Sequence, residues 1–199
     1  FSRNVKYRAN TYNIEAQHSL ELGAAHRWTY GINYRLNTLT GDLVDGSNQE
    51  NRLGFYMQDE WKATQTLTLV AGARYDLNTF IHATVSPRVA LLYRPAPDHT
   101  FRLGFSVAYR PPTLNESYFD ARIQTTLPPP IPSPPIIASH GTANLSPEQI
   151  ESYEAGYQGW YFRHRLSFRA NVFYNHLSDL ILPTNPQPIQ GGSADIYGG

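Results

Sequence analysis

The stretch HRWTYGINYRLN, residues 26–37, decides the fold. Its even positions are His26, Trp28, Tyr30, Ile32, Tyr34 and Leu36, and its odd positions are Arg27, Thr29, Gly31, Asn33, Arg35 and Asn37. One set is aromatic and aliphatic, the other polar and basic. Successive side chains of a strand point to opposite faces, so this is one long strand with an apolar face and a polar face. In a soluble sheet the apolar face would pack on a core. In a membrane barrel it would meet lipid, and the polar face would line a wet lumen.

Working outward, the same alternation recurs on both sides. Upstream, Tyr12, Ile14, Ala16, His18 and Leu20 alternate with Asn13, Glu15, Gln17 and Ser19. Downstream, Leu53, Phe55, Met57 and Trp61 oppose Arg52, Gly54, Gln58 and Glu60, with Asp59 breaking the apolar set. Leu67, Leu69, Ala71, Ala73, Tyr75 and Leu77 then oppose Thr68, Gly72, Arg74 and Asp76. Further runs are centred on Val89–Leu91–Tyr93, Phe101–Leu103–Phe105–Val107–Tyr109, Tyr153–Ala155–Tyr157–Tyr161 and Leu166–Phe168–Ala170–Val172–Tyr174. That makes eight strands, most of them at or above the roughly 9–11 residues a membrane strand needs. Strands of soluble domains more often run about 5–6 residues. No helical period competes; at most a turn is expected at residues 147–150.

The connections alternate in length. Residues 22–25, 63–66, 94–99 and 162–165 read as short turns, and residues 40–50, 78–84, 111–147 and 178–194 as longer loops. Short turns at one end and long loops at the other are expected of outer-membrane barrels. Trp28, Trp61, Tyr93, Phe101 and Tyr161 then fall near the short-turn end, and Tyr34, Phe55, Tyr75, Tyr109 and Tyr174 near the long-loop end. Two aromatic levels on the apolar face match the interfacial girdles of such barrels. The segment LPPPIPSPPII, residues 127–137, is expected to be no strand, because proline fixes φ and removes donors. It reads as a stiff surface loop, with ligand contact as the alternative.

Composition narrows the classes further. Lys plus Arg and Asp plus Glu are equal at 16 each, so nothing points to nucleic acid. There is no cysteine, which removes disulfides, thiolate metal sites and thiol nucleophiles. Mean hydropathy is −0.45, and no apolar run approaches the roughly 20 residues of a membrane helix. No phrase around any Ser resembles a nucleophile elbow, no His pair has metal-ligand spacing, and no enzyme site or cofactor is expected. Asp42, Asp45 and Glu50 share one loop, where solvated acids are commoner than a cation site.

Three phrases carry a family resemblance. FYMQDEWKATQTLTLVAGARYD (residues 55–76), the segment 86–120 containing YRPPTLNE (residues 109–116), and NLSPEQIESYEAGY (residues 144–157) resemble, in order and spacing, phrases of the TonB-dependent outer-membrane receptors. The resemblance runs from about His26 to Leu182. It implies an all-β, antiparallel transmembrane β-barrel of about twenty-two strands closed by a plug. Here about eight consecutive strands of that larger barrel would be present, with long extracellular loops, as one partial domain over residues 1–199. The plug and remaining strands are expected outside this chain, which begins without Met and closes on ADIYGG. The implied location is the Gram-negative outer membrane. The implied activity is energy-coupled uptake of a ferric siderophore, haem or cobalamin. The implied partners are outer-membrane lipid, the plug, the TonB complex and a small-molecule ligand such as a ferric chelate.

The polar face carries Arg27, Arg35, Arg52, Arg74, Arg88, Arg102, Arg110 and Arg169. These either attract an anionic ligand or pair with Glu60, Asp76, Glu154 and the plug. From position alone, the candidate ligand contacts are Arg35, Tyr56, Arg74, Asp76, Arg110, Asn115, Glu116 and Tyr118. Two other architectures compete: a small self-contained outer-membrane barrel without transport, and a soluble β-sandwich or lipocalin-like binding module.

Overall fold

In the computed structural model, residues 6–42, 47–118, 120–123, 136–141, 145–183, 188–189 and 197–198 are described. Eight long strands form one antiparallel sheet: β1 (Tyr7–Leu22), β2 (His26–Gly41), β3 (Ser47–Lys62), β4 (Leu67–Asn78), β5 (Thr84–Ala96), β6 (His99–Arg110), β9 (Glu148–Tyr161) and β10 (Leu166–Ser178). Each pairs with its neighbours in that order. Between β6 and β9 come a helical turn, α1 (Leu114–Tyr118), and the short strands β7 (Asp120–Ile123) and β8 (Ile136–His140). After β10 come β11 (Leu182–Pro183), β12 (Pro188–Ile189) and β13 (Tyr197–Gly198). β12 and β7 flank β8 in a small separate sheet, and β11 pairs with β13.

Register keeps every apolar set on one face. Ile14 stands opposite Tyr34, Tyr34 opposite Leu53, and Leu53 opposite Leu77. Across the other half, Tyr93 opposes Phe101, Phe101 opposes Tyr157, and Tyr157 opposes Ala170. A slip of one residue anywhere would turn a whole strand over. Among the described residues nothing covers this face: Ile14 is 69% exposed and Val172 72%. Among the described residues the buried hydrophobic ones are only Leu39, Leu114, Leu145 and Ile181, all near the long-loop end. The accessible surface is 14053 Å², against about 9,500 Å² for a compact monomer of this mass. A sandwich or lipocalin would hide the apolar face, so those architectures are excluded. The sheet is a wall whose core is supplied from outside, as a membrane strand requires. Among the described residues no pairing joins β1 to β10, so the eight strands do not close on themselves.

Several boundaries differ from the sequence reading. β2 and β3 continue to the Thr40–Ser47 pair, so the expected loop 40–50 shrinks to a tip. Only Leu39 is apolar there, and it falls on the otherwise polar set of positions, so the hydrophobic alternation carries no signal above the apolar band. Glu148–Ile150 is strand rather than a separate turn. Ile136 and Ile137, at the end of the proline-rich segment, belong to β8; residues 127–135 lie outside the described residues. Helix α1 was not expected. Its sequence signal is the capping box Thr113-x-x-Glu116: the Glu116 carboxylate accepts from the Thr113 amide at 2.7 Å, and the Glu116 amide donates to Thr113 Oγ1 at 3.2 Å.

One irregularity interrupts the wall. β4 pairs with β5 up to Thr84, and β6 pairs with β9 up to Arg110, but β5 pairs with β6 only from Arg88–Ser106 onward. Pro87 sits at that limit. It has no N–H to give to β6, and a proline within a central strand breaks the ladder there.

Asp59, the break in the apolar alternation, stays on the apolar face opposite Trp28 and Ala71. His26 Nδ1 lies 2.7 Å from Asp59 Oδ2, and the His26 ring stacks on Trp61. The strand therefore runs without a bulge, and a partner near the short-turn end accommodates the acid.

Candidate functional site

The polar face is densest in polar contacts at the long-loop end of β1 to β4. Two glycines make room for them. Gly31 lies opposite Gln17 on one side and Tyr56 on the other. The Tyr56 side chain folds over it, so that its hydroxyl reaches Glu15 Oε1 at 2.9 Å and Gln17 Oε1 at 2.8 Å. A Cβ at Gly31 would strike the Tyr56 hydroxyl and stand 2.7 Å from the Ala16 carbonyl. Gly54, opposite Asp76, is covered in the same way by the Arg74–Asp76 pair. Arg74 Nε donates to Asp76 at 2.8 Å, and the Arg74 guanidinium stands 5.9 Å from the Tyr56 ring centroid.

One level further toward the loops, Arg35 stands directly opposite Arg52. Like charges facing each other across a ladder are destabilising unless counter-charge is supplied. Glu50 supplies it for Arg52, with Arg52 Nε 2.8 Å from Glu50 Oε1. That N–H is not aimed at the oxygen, and Arg52 Nε has no hydrogen-bond partner, so the contact is a charge pairing only. The Glu50 carboxylate is 1% exposed and accepts from Asn37 Nδ2 and Asn78 Nδ2, both at 2.7 Å. Among the described residues Arg35 has only a 3.4 Å contact with Asn13 Oδ1.

Arg35, Arg52 and Arg74 with Asp76, Asn33 and Asn78 line a cavity of about 190 Å³ that also touches Thr84, Tyr109 and Pro111. Tyr109 is apolar by alternation, yet it borders this cavity because β6 is not held to β5 beyond Ser106. Three guanidinium groups face two carboxylates, Glu50 and Asp76, which leaves one positive charge in excess. Such a site attracts an anion with planar oxygens, because the guanidinium fork matches carboxylate, phosphate and related groups.

A second cluster pins the loops. Arg110, at the end of β6, donates to Glu116 of α1 at 3.2 Å and to Glu148 at the start of β9. Glu148 Oε1 accepts from the Ile181 amide at 2.9 Å. Burial would raise the Glu116 carboxyl, but the hydrogen bond from the Thr113 amide and the Arg110 guanidinium bring it below the ordinary carboxylate range.

The eight positional candidates thus separate. Arg35, Arg74 and Asp76 share the cavity, and Tyr56 stands below it. Arg110 and Glu116 bind each other. Asn115 is exposed, and the Tyr118 ring meets Phe80 edge-on at 5.4 Å. Of the acids weighed against the arginines, Asp76 pairs with Arg74 and Glu154 with Arg102 at 3.2 Å. Sequence reasoning missed Arg52 as a cavity residue and Glu50, Asn37 and Asn78 as its support. Asp42 lies apart from Glu50, accepting from the Lys6 amide, and Asp45 falls outside the described residues. Among the described residues no group of three His, Asp or Glu side chains could hold a metal ion.

An antiparallel wall with one exposed apolar face and one charged face defines a class, the membrane β-barrels. The family described as "TonB dependent receptor-like, beta-barrel" matches residues 1–199, and the chain belongs to that family. The siderophore receptor PirA from Pseudomonas aeruginosa is similar in fold, with a TM-score of 0.80 at 17% identity over 97% of this chain. PirA from Acinetobacter baumannii gives 0.70 at 19% identity over 90% of the chain. The FrpB iron transporter from Neisseria meningitidis gives 0.67 at 14% over 90%. The chain spans 37%, 28% and 30% of those three structures, respectively. No curated protein matched.

Proposed function

We propose that this chain is part of the barrel wall of an outer-membrane receptor that takes up a scarce anionic ligand, a ferric siderophore before haem or cobalamin. The observation that carries the reading is the cavity at the long-loop end of the polar face, where Arg35, Arg52 and Arg74 outnumber Asp76 and the Glu50 that backs Arg52. PirA, described as a siderophore receptor, shares the fold. In this reading the loops admit the chelate, and Arg35 and Arg74 contact its negative oxygens. Asp76 and Glu50 set the geometry of Arg74 and Arg52. Tyr56, Asn115 and Tyr118 offer further polar or aromatic contact along the entry. Arg110 and Glu116 hold the loop base that shapes the mouth. A plug, moved through the TonB complex, would then open the path inward.

The test uses the full-length protein in an iron-limited outer-membrane background, with radiolabelled ferric chelates of differing charge. Uptake is expected for anionic chelates. Binding is expected to weaken about tenfold or more in Arg35→Ala, since a hydrogen bond to a charged group is worth about 1.5–3 kcal/mol and about 1.4 kcal/mol is tenfold. It is also expected to weaken with added salt. Equal binding of neutral and anionic chelates, with Arg35→Ala unchanged, would remove the proposal.

A further inference from the structure

Among the described residues Asp59 is the only carboxylate within the strands that alternation places on the apolar face at the short-turn end. An ionisable group on a lipid-facing surface is costly and needs a partner. Its neighbours on that face are Trp28 and Ala71 across the ladder and Met57 and Trp61 along β3, and none of them is a cation. Arg27, Glu60 and Lys62 alternate to the polar face. Only His26 answers the acid, with Nδ1 2.7 Å from Asp59 Oδ2. Asp59 Oδ1 is buried and has no hydrogen-bond partner. The pair is nevertheless within reach of the bilayer, since the His26 side chain is 39% exposed and that of Asp59 29%.

We propose that the His26–Asp59 pair is a headgroup site for a phospholipid bearing a primary ammonium, in the leaflet at the short-turn end. Charge chooses the occupant. With Asp59 ionised, His26 donates its Nδ1–H to the carboxylate, and the neutral ring then keeps Nε2 as an acceptor. That nitrogen has no partner among the described residues. The pair therefore carries one negative charge and offers acceptors with no donor to meet them. The Trp61 ring, stacked on His26 and itself exposed, adds a π face that favours a cation. Depth supplies that cation. Trp28 and Trp61 belong to the aromatic level at the short-turn end, and such rings sit among lipid headgroups. An ammonium there donates to the pair while its acyl chains run along the apolar face. An anionic headgroup is repelled, and a choline headgroup keeps the charge but has no N–H to give. The site depends on the wall facing lipid and not on which ligand the receptor takes up.

The experiment equilibrates the full-length protein in detergent with equal amounts of phosphatidylethanolamine, phosphatidylcholine and phosphatidylglycerol, and counts the retained lipids by native mass spectrometry. The parent is expected to retain one more phosphatidylethanolamine than Asp59→Asn. Its preference for that lipid over phosphatidylcholine at this site should be about tenfold, as one hydrogen bond to a charged group gives. Successive N-methylation of the ethanolamine should weaken retention stepwise. Ala71→Lys places an ammonium of the chain's own across the ladder from Asp59 and should displace the same lipid. Equal phosphatidylethanolamine retention by the parent and both variants would overturn the proposal. So would a lipid lost in Asp59→Asn that proves to be phosphatidylglycerol or phosphatidylcholine. If Asp59→Asn does not assemble, Ala71→Lys and the methylated series decide.

Discussion

Replacing Glu50 by Gln tests the organisation of the site most directly. The change keeps the volume and removes the charge. In the folded wall Glu50 is 1% exposed, accepts two amide hydrogen bonds at 2.7 Å and lies 2.8 Å from Arg52 Nε. Hydrogen bonds to a charged group contribute about 1.5–3 kcal/mol each. Breaking a buried pair by removing one partner costs about 3–5 kcal/mol. Arg52 is 27% exposed and its N–H is misaimed, so the pairing itself belongs at the low end. Arg52 would also be left facing Arg35 with no counter-charge. The contributions overlap, and about 3 kcal/mol is the expected loss. The assay is urea unfolding of the full-length protein from vesicles, followed by tryptophan fluorescence. With a slope of about 2–3 kcal/mol/M, the midpoint should fall by about 1 M or more. Adding Arg52→Gln removes the stranded cation and should recover part of that loss. A Glu50→Gln unfolding free energy within about 0.5 kcal/mol of the parent, the range of an ordinary surface change, would refute the reasoning. So would a double variant that is less stable than the single one.

Two further outcomes follow from the same geometry. The Glu116 carboxyl is held below its unfolded range, so the α1 clasp contributes stability at neutral pH that is lost as pH falls through the lowered folded value; protease cleavage between residues 111 and 118 should stay slow across neutral and mildly acidic pH and rise only once pH drops below the ordinary carboxylate range, and Glu116→Gln should flatten that profile. Gly31→Ala should destabilise by about 1–3 kcal/mol, because the new Cβ meets the Ala16 carbonyl as well as the movable Tyr56 hydroxyl; Tyr56→Phe on that background should restore little, as read by the same urea midpoints.

The polar ends of the strands show what periodicity reads and what it does not. Residues 26–37 announced their strand because lipid on one side and water on the other force alternation. Residues 38–41 and 47–50 continue the same two strands, yet their one large apolar residue, Leu39, breaks the alternation, so register alone reveals them. Pro87 was visible as a residue, but its effect was not. A proline can sit in a strand paired on one side, and only the arrangement of β4, β5 and β6 shows that its missing donor faces β6. The capping box at Thr113 and Glu116 was legible in the chain and would have located α1.

The sequence by itself determined the wall: eight strands and their apolar face. Each follows from a local rule, the two-residue period of a strand and the demand of hydrocarbon for paired backbone. The tertiary structure alone decided which polar side chains meet. Arg35 and Arg52 are 17 residues apart in the numbering and adjacent only through the register of β2 on β3. Glu50 is buried because Asn37 and Asn78 arrive from the strands on either side. Such contacts join residues distant in the chain, and no local pattern encodes them.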